Sequence, residues 1–513
     1  MAAIQANDNK KALSLGLRMI KLPTTGVQDC MAVAEMGERM VDNHTAMLAV
    51  RAAVKRAPGD LHLLFELVRT EFAAGYTKDA LAHLNVAQGL CRTAEDFDTL
   101  GNYYKRLEQA TLSHEAFSKA HELAPEHVHI LSNLGISFSF LGRDDEAEEM
   151  FNRAIALGDK NPSTYLNRSW LRTQTEENNH IAELEAVVAD LGEEAADAPM
   201  LFNGLAKEYE DLGRDKEAFD TLEKANAARR AQIEFSIDQD AADTNDIITT
   251  YDAEFMARKS GSCSSDEPIF ILGLHRSGST LVERILGNHS KVFAAGELSN
   301  FKNMVKLKTA EAARAEGQGQ VVSLETIQKI DMRSLGKSYL DSTRPRTGHV
   351  PHFIDKFPSN YIFCGLIVKC LPNAKMIHTK RNAMDVCYAI LKQAFMQGYY
   401  FSYDQAELGA AYLNYLKVMD HWEEMMPGRI IHVAYEDMVA DNEKVSRDLV
   451  QRLGLEWEDA CLDFISNTEA SMTASANQVR QPIYSTSVDK WRRFEDRLTL
   501  LRKTLEAGGV DVG

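Results

Sequence analysis

The residues with the clearest chemical pattern lie between Gly273 and Thr280. Four residues separate Gly273 from Gly278, and one more separates Gly278 from Thr280, which is the spacing of a phosphate-binding P-loop. Glycines let the backbone N–H groups of such a loop turn inward, and the helix that follows points its positive end at an anion. The apolar run 269–272 before the loop predicts a buried strand, and the helical spacing of apolar residues after it predicts a helix. The stretch is therefore predicted to bind an anionic ligand.

The loop lacks the lysine that nucleotide-hydrolysing P-loops place before the hydroxyl residue. Ser279 occupies that position, and the nearest cation is Arg276 inside the loop. Without the lysine, the γ-phosphate of a triphosphate loses its fixed counter-charge. The loop therefore suits an anion other than an ATP γ-phosphate, and the alternative is an ordinary glycine turn between a strand and a helix.

The segment 276–280, RSGST, resembles the loop that holds the 5′-phosphosulfate of PAPS in sulfotransferases. Further segments look like that family in the same order along the chain: 295–298 (AGEL), 355–358 (DKFP), 380–382 (KRN), 385–387 (DVC), 435–437 (YED) and 478–482 (QVRQP). The resemblance covers most of the chain. It is to bacterial proteins that join TPR repeats to a domain similar to tyrosylprotein sulfotransferase.

The resemblance implies a site for PAPS as co-substrate, with PAP as product and no metal. The residues that it implies for binding PAPS are Arg276, Ser277, Gly278, Ser279, Thr280, Arg381, Tyr435, Ser475 and Lys490. Lys356 matches the family lysine that stabilises the bridging oxygen as the oxygen gains charge. Together with Glu297 and Ser475, it forms the implied catalytic set.

The resemblance makes Glu297 the general base, and His289 is its rival. A carboxylate in the apolar turn after residues 293–296 is expected to have a raised pKa and to accept a hydroxyl proton. Other sulfotransferases use a histidine, but His289 ends the P-loop helix, where histidine is often only a cap.

Two residues depart from the family pattern at the 3′-phosphate site. Ala389 stands where the family has a serine, and Gln393 stands where tyrosylprotein sulfotransferases have an arginine. Either the affinity for PAPS is lower, or Lys380, Lys392 or Ser475 compensates.

Composition limits the classes of partner and compartment. A net charge of −18 disfavours a nucleic-acid binder and binding to an anionic membrane surface. The seven cysteines are scattered without a CxxC pair, which favours reduced thiols and no zinc site. The amino-terminal residues lack a long apolar segment, so we expect a cytoplasmic protein without membrane insertion.

The first half of the chain predicts an array of helical repeats. Gly101 and Gly135 are 34 residues apart, as are Phe117 and Phe151, and 34 is the TPR period. We expect roughly six helical hairpins stacked into a superhelix with a concave groove. The predicted boundaries are 1–25 for an amino-terminal helical or flexible segment, 26–232 for the TPR array, 233–266 for a linker with a helix at about 247–257, and 267–513 for the sulfotransferase domain.

The second half predicts an α/β domain. Strands are predicted at 269–272, 352–356, 374–379 and 429–433, and helices between them at 361–371 and 405–425. This alternation predicts a central parallel sheet flanked by helices, with the site beyond the carboxyl ends of its strands. The region 304–341, with a glycine-containing loop at 316–319, is expected to cover the acceptor side.

Three functions remain open at this stage. The first is a sulfotransferase that uses PAPS and whose TPR array holds or recruits a hydroxyl-bearing acceptor: a protein tyrosine, a saccharide or a small molecule. The second is a TPR interaction protein with a degenerate, non-catalytic domain, which Ala389 favours. The third is a P-loop kinase of unusual type. The acceptor, the TPR partner and the oligomeric state are left undetermined.

Overall fold

A computed structural model describes residues 9–40, 42–192, 194, 198–315, 324–395, 398–463 and 487–513. Its first half is helical. The helices are α1 Asn9–Met19, α2 Val27–Arg39, α3 Asn43–Arg56, α4 Leu61–Ala73, α5 Thr77–Gln88, α6 Ala94–Arg106, α7 Ala110–Leu123, α8 Val128–Phe140, α9 Asp144–Ala156, α10 Pro162–Ser169, α11 Ile181–Leu191, α12 Pro199–Asp211 and α13 Asp215–Ala231.

Helices α2 to α13 form the helical-repeat array, and the predicted fold is confirmed. Consecutive helices pair in five hairpins. By contrast, α10 and α11 each pack against α12, which is consistent with a degenerate repeat. The repeat spacing has a packing cause. A Cβ atom added to Gly101 would lie 2.7 Å from the Phe117 ring, and one added to Gly135 would lie 2.7 Å from the Phe151 ring. Small residues at the 34-residue period thus let each phenylalanine fill the space between two helices.

The segment between the two halves contains two helices that pack onto the second half. They are α14 Ile237–Thr250 and α15 Ala253–Ala257. The first begins ten residues before the predicted helix, because Ser236 caps it by accepting a hydrogen bond from the backbone N–H of Gln239. Tyr251 and Phe255 are buried, and the Tyr251 ring contacts the ring of Trp422.

The second half is built on a five-stranded parallel sheet in the order β2-β3-β1-β4-β5. The strands are β1 Pro268–Gly273, β2 Val292–Ala294, β3 His352–Lys356, β4 Lys375–Lys380 and β5 Ile430–Ala434. The central strand β1 is buried along its whole length, as its continuous apolar run predicts. No sequence pattern predicts β2, which is only three residues long.

Helices cover both faces of this sheet. They are α16 Ser279–Gly287, α17 Asn300–Ala315, α18 Leu324–Ile327, α19 Met332–Thr347, α20 Cys364–Cys370, α21 Ala383–Leu391, α22 Gln405–Met425, α23 Tyr435–Ala440, α24 Asn442–Leu453 and α25 Thr499–Ala507, with 3₁₀ turns at Pro358–Phe363, Tyr400–Tyr403, Asp459–Leu462 and Lys490–Arg497. The helix predicted at 361–371 is therefore partly a 3₁₀ turn, which starts at Pro358. Among the described helices, none has the length and hydropathy needed to cross a bilayer.

Candidate active site

The glycine loop lies at the carboxyl end of β1, between β3 and β4. Gly273 has φ of 138°, and a Cβ there would lie 2.7 Å from the carbonyl oxygen of Thr379 on β4. Gly278 has φ of 96°, and a Cβ there would lie 2.7 Å from the ring of Tyr435. Only glycine meets both requirements, because the backbone is left-handed and the neighbouring atoms are too close for a side chain. The loop therefore presents backbone at the amino terminus of α16.

Two other residues of the loop shape it. Arg276 adopts φ of 67°, a conformation that side chains other than glycine rarely take. The Ser277 hydroxyl is 2.7 Å from both the Leu274 carbonyl oxygen and the Thr379 hydroxyl, so this predicted ligand ties the loop to β4 through its side chain. Ser279 and Thr280 open α16 and are both buried.

Arg381, which follows β4, lies directly beside the loop. Its guanidinium donates to the carbonyl oxygens of Arg276 at 3.0 Å and Ser487 at 2.6 Å and lies over the Tyr435 ring at 4.8 Å. Its Nε is buried without a hydrogen-bond partner among the described residues. The Tyr435 hydroxyl is 3.1 Å from the Ser487 hydroxyl. Arg381 and Tyr435, predicted from separate motifs, are thus brought together at one edge of the sheet.

The chain after Ser487 is anchored to α21. The Asp385 carboxylate accepts hydrogen bonds from the backbone N–H groups of Asp489 at 2.8 Å and Trp491 at 3.4 Å. This anchor fixes where the carboxyl-terminal segment returns to the loop. Ser475 lies outside the described residues.

Lys490 is paired with a carboxylate from the helical-repeat array. Glu210, at the end of α12, is 2.6 Å from Lys490 and 2.8 Å from Lys392. Burial opposes ionisation of Glu210, but the two lysines outweigh it and lower the pKa of Glu210 to about 2. Burial lowers the pKa of Lys392 to about 8, against the pull of Glu210. The two cations and one carboxylate form a group that joins the two halves of the molecule.

At the end of β3, Lys356 and Glu297 form an ion pair. The Lys356 ammonium is fully buried and lies 2.5 Å from Glu297 Oε1 and 3.9 Å from Glu283 of α16. The backbone of residues 295–297 continues beside β3, since the Lys356 N–H donates to the Gly296 carbonyl oxygen at 2.9 Å. The two residues predicted for catalysis are therefore in direct contact.

The expected raised pKa of Glu297 is wrong for this arrangement. Burial raises the pKa of this carboxyl, but the charge and hydrogen bond of Lys356, together with the charge of His275, outweigh burial and the pKa is lowered. The same interaction raises the pKa of Lys356 in spite of its burial. The sequence showed an apolar turn around Glu297 but not the cation across the sheet.

The rival base His289 has both ring nitrogens engaged. Nε2 is 2.8 Å from the Glu456 carbonyl oxygen, and Nδ1 accepts from the Lys291 N–H at 3.1 Å. The side chain is buried at the end of α16. Its contacts are those of a structural histidine that holds the next loop.

Comparisons with known proteins relate part of this chain to sulfotransferases. Residues 268–459 match the model of the sulfotransferase family. The resemblance predicted from the sequence is thereby confirmed. An uncharacterized protein of Aquifex aeolicus is 31% identical over 414 residues, which are 79% of this chain and 53% of that protein. A protein-tyrosine sulfotransferase of Drosophila melanogaster is 23% identical over 240 residues, which are 44% of this chain and 46% of that protein.

The chain spans about half the length of these two relatives. Among solved structures, the sulfotransferase domain of the Synechococcus PCC 7002 olefin synthase is 21% identical, with a TM-score of 0.36. It covers 50% of this chain and 99% of that domain.

The sulfotransferase-like region fits an anionic nucleotide such as PAPS in two respects. The loop cannot carry side chains at Gly273 or Gly278, so its backbone is open to close approach by an anion at a helix amino terminus. The Nε–H of Arg381 is buried beside the loop and has no hydrogen-bond partner among the described residues, so it can donate to a bound anion. At the predicted 3′-phosphate position, Ala389 is buried on α21 and Gln393 has a buried amide oxygen without a partner among the described residues.

Sequence reasoning missed His275, which lies inside the glycine loop. Burial lowers the pKa of this imidazole to about 4, although the charge of Glu297 opposes the shift. Its ring meets Tyr399 edge-on at 4.4 Å between centroids, and its Nδ1 is buried without a partner among the described residues. His275 lies within the glycine motif, but the motif does not predict a role for it, because only the fold brings it near Glu297. Glu283, Arg346 and Glu108 around the same pair were missed for the same reason.

Proposed function

We propose that this protein is a PAPS-dependent sulfotransferase, which transfers a sulfuryl group to a hydroxyl acceptor. One observation carries the proposal: the glycine loop and Arg381 share one edge of the sheet with the Lys356–Glu297 pair. A donor held at the loop would thus lie next to a buried cation and a carboxylate. That combination suits transfer from a phosphosulfate, in which charge must be neutralised on the leaving oxygen and a proton taken from the acceptor.

The division of labour follows from position. The backbone of 276–280 and Arg381 bind the donor, and Tyr435 packs under Gly278 and orients Arg381 by its ring. Lys356 supplies positive charge at the end of β3. Glu297 accepts the acceptor proton. PAPS, when bound, supplies the sulfuryl group, and we propose that no metal is needed.

A second candidate is an interaction protein whose sulfotransferase-like domain has lost its activity. Two observations favour it: Ala389 offers no hydroxyl, and Lys490 is engaged by Glu210. PAP binding distinguishes the two candidates, because a degenerate domain of this kind would not bind PAP.

Calorimetry of PAP binding to the full chain, with a chelator present, tests the proposal. We expect binding in the micromolar range without metal, and no comparable binding of ATP with magnesium. The absence of heat at millimolar PAP would overturn the enzymatic function and favour the interaction protein. Tight magnesium-dependent ATP binding would instead favour a kinase.

A further inference from the structure

One turn of the helical-repeat array reaches the catalytic pair, and its central residue is not the glycine that three other turns carry. Gly75, Gly142 and Gly213 occupy the corresponding place in other hairpins, with φ of 87°, 75° and 72°. Between α6 and α7 the residue is Glu108, 34 positions before Gly142, with φ of 57°. Glycine takes this left-handed conformation freely, whereas a glutamate is strained there. A strained residue that interrupts a repeat pattern points to a function that glycine could not serve.

The contacts of Glu108 cross from the array into the catalytic domain. Arg346, on α19, donates through Nη1 to the Glu108 carbonyl oxygen at 2.6 Å and to Glu108 Oε2 at 3.2 Å. A Cβ built on Gly296 would lie 3.1 Å from Arg346 Nη2 and 3.7 Å from Glu108 Oε2. The carboxylate and the guanidinium therefore lie against the backbone that carries Glu297, the residue next in sequence.

Several ionisable groups face this carboxylate from the surrounding elements. Arg346 comes from α19, Lys356 and Asp355 from β3, Glu283 from α16, and Glu297 from the segment after β2. Burial raises the pKa of Glu108 to about 7; Arg346 opposes the shift and Glu297 adds to it. The ionisation of Glu108 is thus coupled to the charges of the proposed catalytic pair.

We propose that Glu108 is a positioning residue of the active site, which the helical-repeat array contributes to the catalytic domain. The inference rests on the proposed sulfotransferase function. By holding Arg346 against Gly296, Glu108 fixes the segment that carries Glu297 relative to Lys356. The array then forms one wall of the acceptor entrance. The entrance is the cleft beside Glu297. Phe72, Leu81 and Leu107 of the array line one side of this cleft, and Leu298 and Pro345 of the catalytic domain line the other.

Substitution of Glu108 separates positioning from folding, because glycine is the residue that three other turns of the array use. Glu108→Gly relieves the strained backbone but removes the ion pair with Arg346, and the two effects oppose each other. We therefore expect a Tm close to that of wild type and PAP affinity within about twofold of wild type. The initial rate of label transfer from radiolabelled PAPS to acceptors in a host lysate should fall about tenfold or more, as expected when a catalytic group is misplaced. In the pH–rate profile of Glu108→Gln, the ionisation near pH 7 should be absent. Glu115→Gln, an exposed glutamate on α7 of the same hairpin, is the matched control and should match wild type.

The outcomes are distinguishable. A Glu108→Gly variant that transfers label at the wild-type rate, with the pH profile of Glu108→Gln unchanged, overturns the role of Glu108. A loss of rate that follows a loss of Tm across the variants also overturns it, because the residue would then only support the fold. A wild-type protein that neither binds PAP nor transfers label overturns the proposed function itself, which the Glu108 variants do not decide.

Discussion

The Lys356–Glu297 ion pair is the central feature at the residue scale. Each residue holds the other in its charged form inside a buried site. While the contact lasts, the Lys356 ammonium is occupied by Glu297, and the lowered pKa makes Glu297 a weak base. If Lys356 turns toward an anion at the glycine loop, the interaction that lowers the pKa of Glu297 weakens. Glu297 would then become a stronger base at the moment when one is needed. The pair thus links donor binding to activation of the acceptor.

Substitution of Glu297 should abolish most of the turnover while sparing the donor site. Glu297→Gln keeps the shape and removes the basicity, so we expect a loss of about 10²-fold or more in kcat, the usual contribution of a general base. PAP affinity should change little, because the glycine loop and Arg381 are untouched. Initial-rate kinetics with labelled PAPS, together with PAP calorimetry, measure the two effects.

His289→Gln is the matched control. It removes contacts with the backbone of Glu456 and Lys291, so we expect a lower Tm but a turnover within about tenfold of wild type. The opposite ranking, with His289→Gln inactive and Glu297→Gln mild, would assign the base to His289.

The sequence predicted the residues whose signal is local and missed those whose role depends on distant segments. The glycine loop, Lys356, Arg381 and Tyr435 all stand at strand ends, where a motif and a parallel sheet suffice to group them. Glu108 and Glu210 come from the array, 238 residues from Arg346 and 182 residues from Lys392 in sequence. A local signal did exist for Glu108, since it replaces a glycine that recurs 34 residues later. The lowered pKa of Glu297 depended on its contact with Lys356, which no spacing shows.

At the element scale, the end of α12 sets the electrostatics beside the glycine loop. Glu210 neutralises Lys392 and Lys490, and the charge of Arg276 acts on Lys392 as well. If these lysines assist the 3′-phosphate in place of the missing serine at 389, Glu210 competes with the phosphate for them. The array would then affect the affinity for the donor through Glu210, in addition to positioning Glu297 through Glu108.

Removal of this carboxylate should have opposite effects on stability and on donor affinity. Glu210→Gln leaves two cations without their counter-charge, so the Tm should fall by a few degrees. PAP affinity should rise several-fold, because the lysines become available to a phosphate. Differential scanning fluorimetry and PAP calorimetry test the two parts.

Glu407→Gln offers the matched comparison, because Glu407 on α22 forms another ion pair between the halves, with Arg230 of α13 at 2.8 Å. We expect a lower Tm and unchanged PAP affinity for this variant. If Glu210→Gln also leaves PAP affinity unchanged or weakens it, Lys392 and Lys490 have no part in donor binding.

At the scale of the whole molecule, the array and the catalytic domain share a core as well as ion pairs. Phe219 of α13 packs against Phe494, and Arg497 pairs with Asp220 at 2.7 Å. The segment predicted as a linker adds Tyr251 and Phe255 to the same buried cluster. The sequence predicted a linker with one helix there, because the apolar residues that anchor the segment are few and widely spaced.

This packing predicts where the chain can be cut. A fragment that starts at Ser264 lacks Tyr251 and Phe255, whose burial stabilises the cluster around Trp422, so we expect it to melt well below a fragment that starts at Ser236. Thermal melts of the two fragments, compared with the full chain, measure the difference. Equal Tm values would show that helices α14 and α15 contribute nothing to the stability of the catalytic domain.

The central claim is that the site transfers a sulfuryl group, and Lys356 provides its most direct test. The full-length protein and its Lys356→Ala variant would each be incubated with radiolabelled PAPS and a lysate of the host, and the labelled molecules separated and counted. We predict that the wild-type protein labels one or more acceptors and that Lys356→Ala labels them far less while binding PAP with similar affinity, since Lys356 acts on the transition state. Equal labelling by the two proteins, or no labelling by a wild-type protein that binds PAP, would contradict the account.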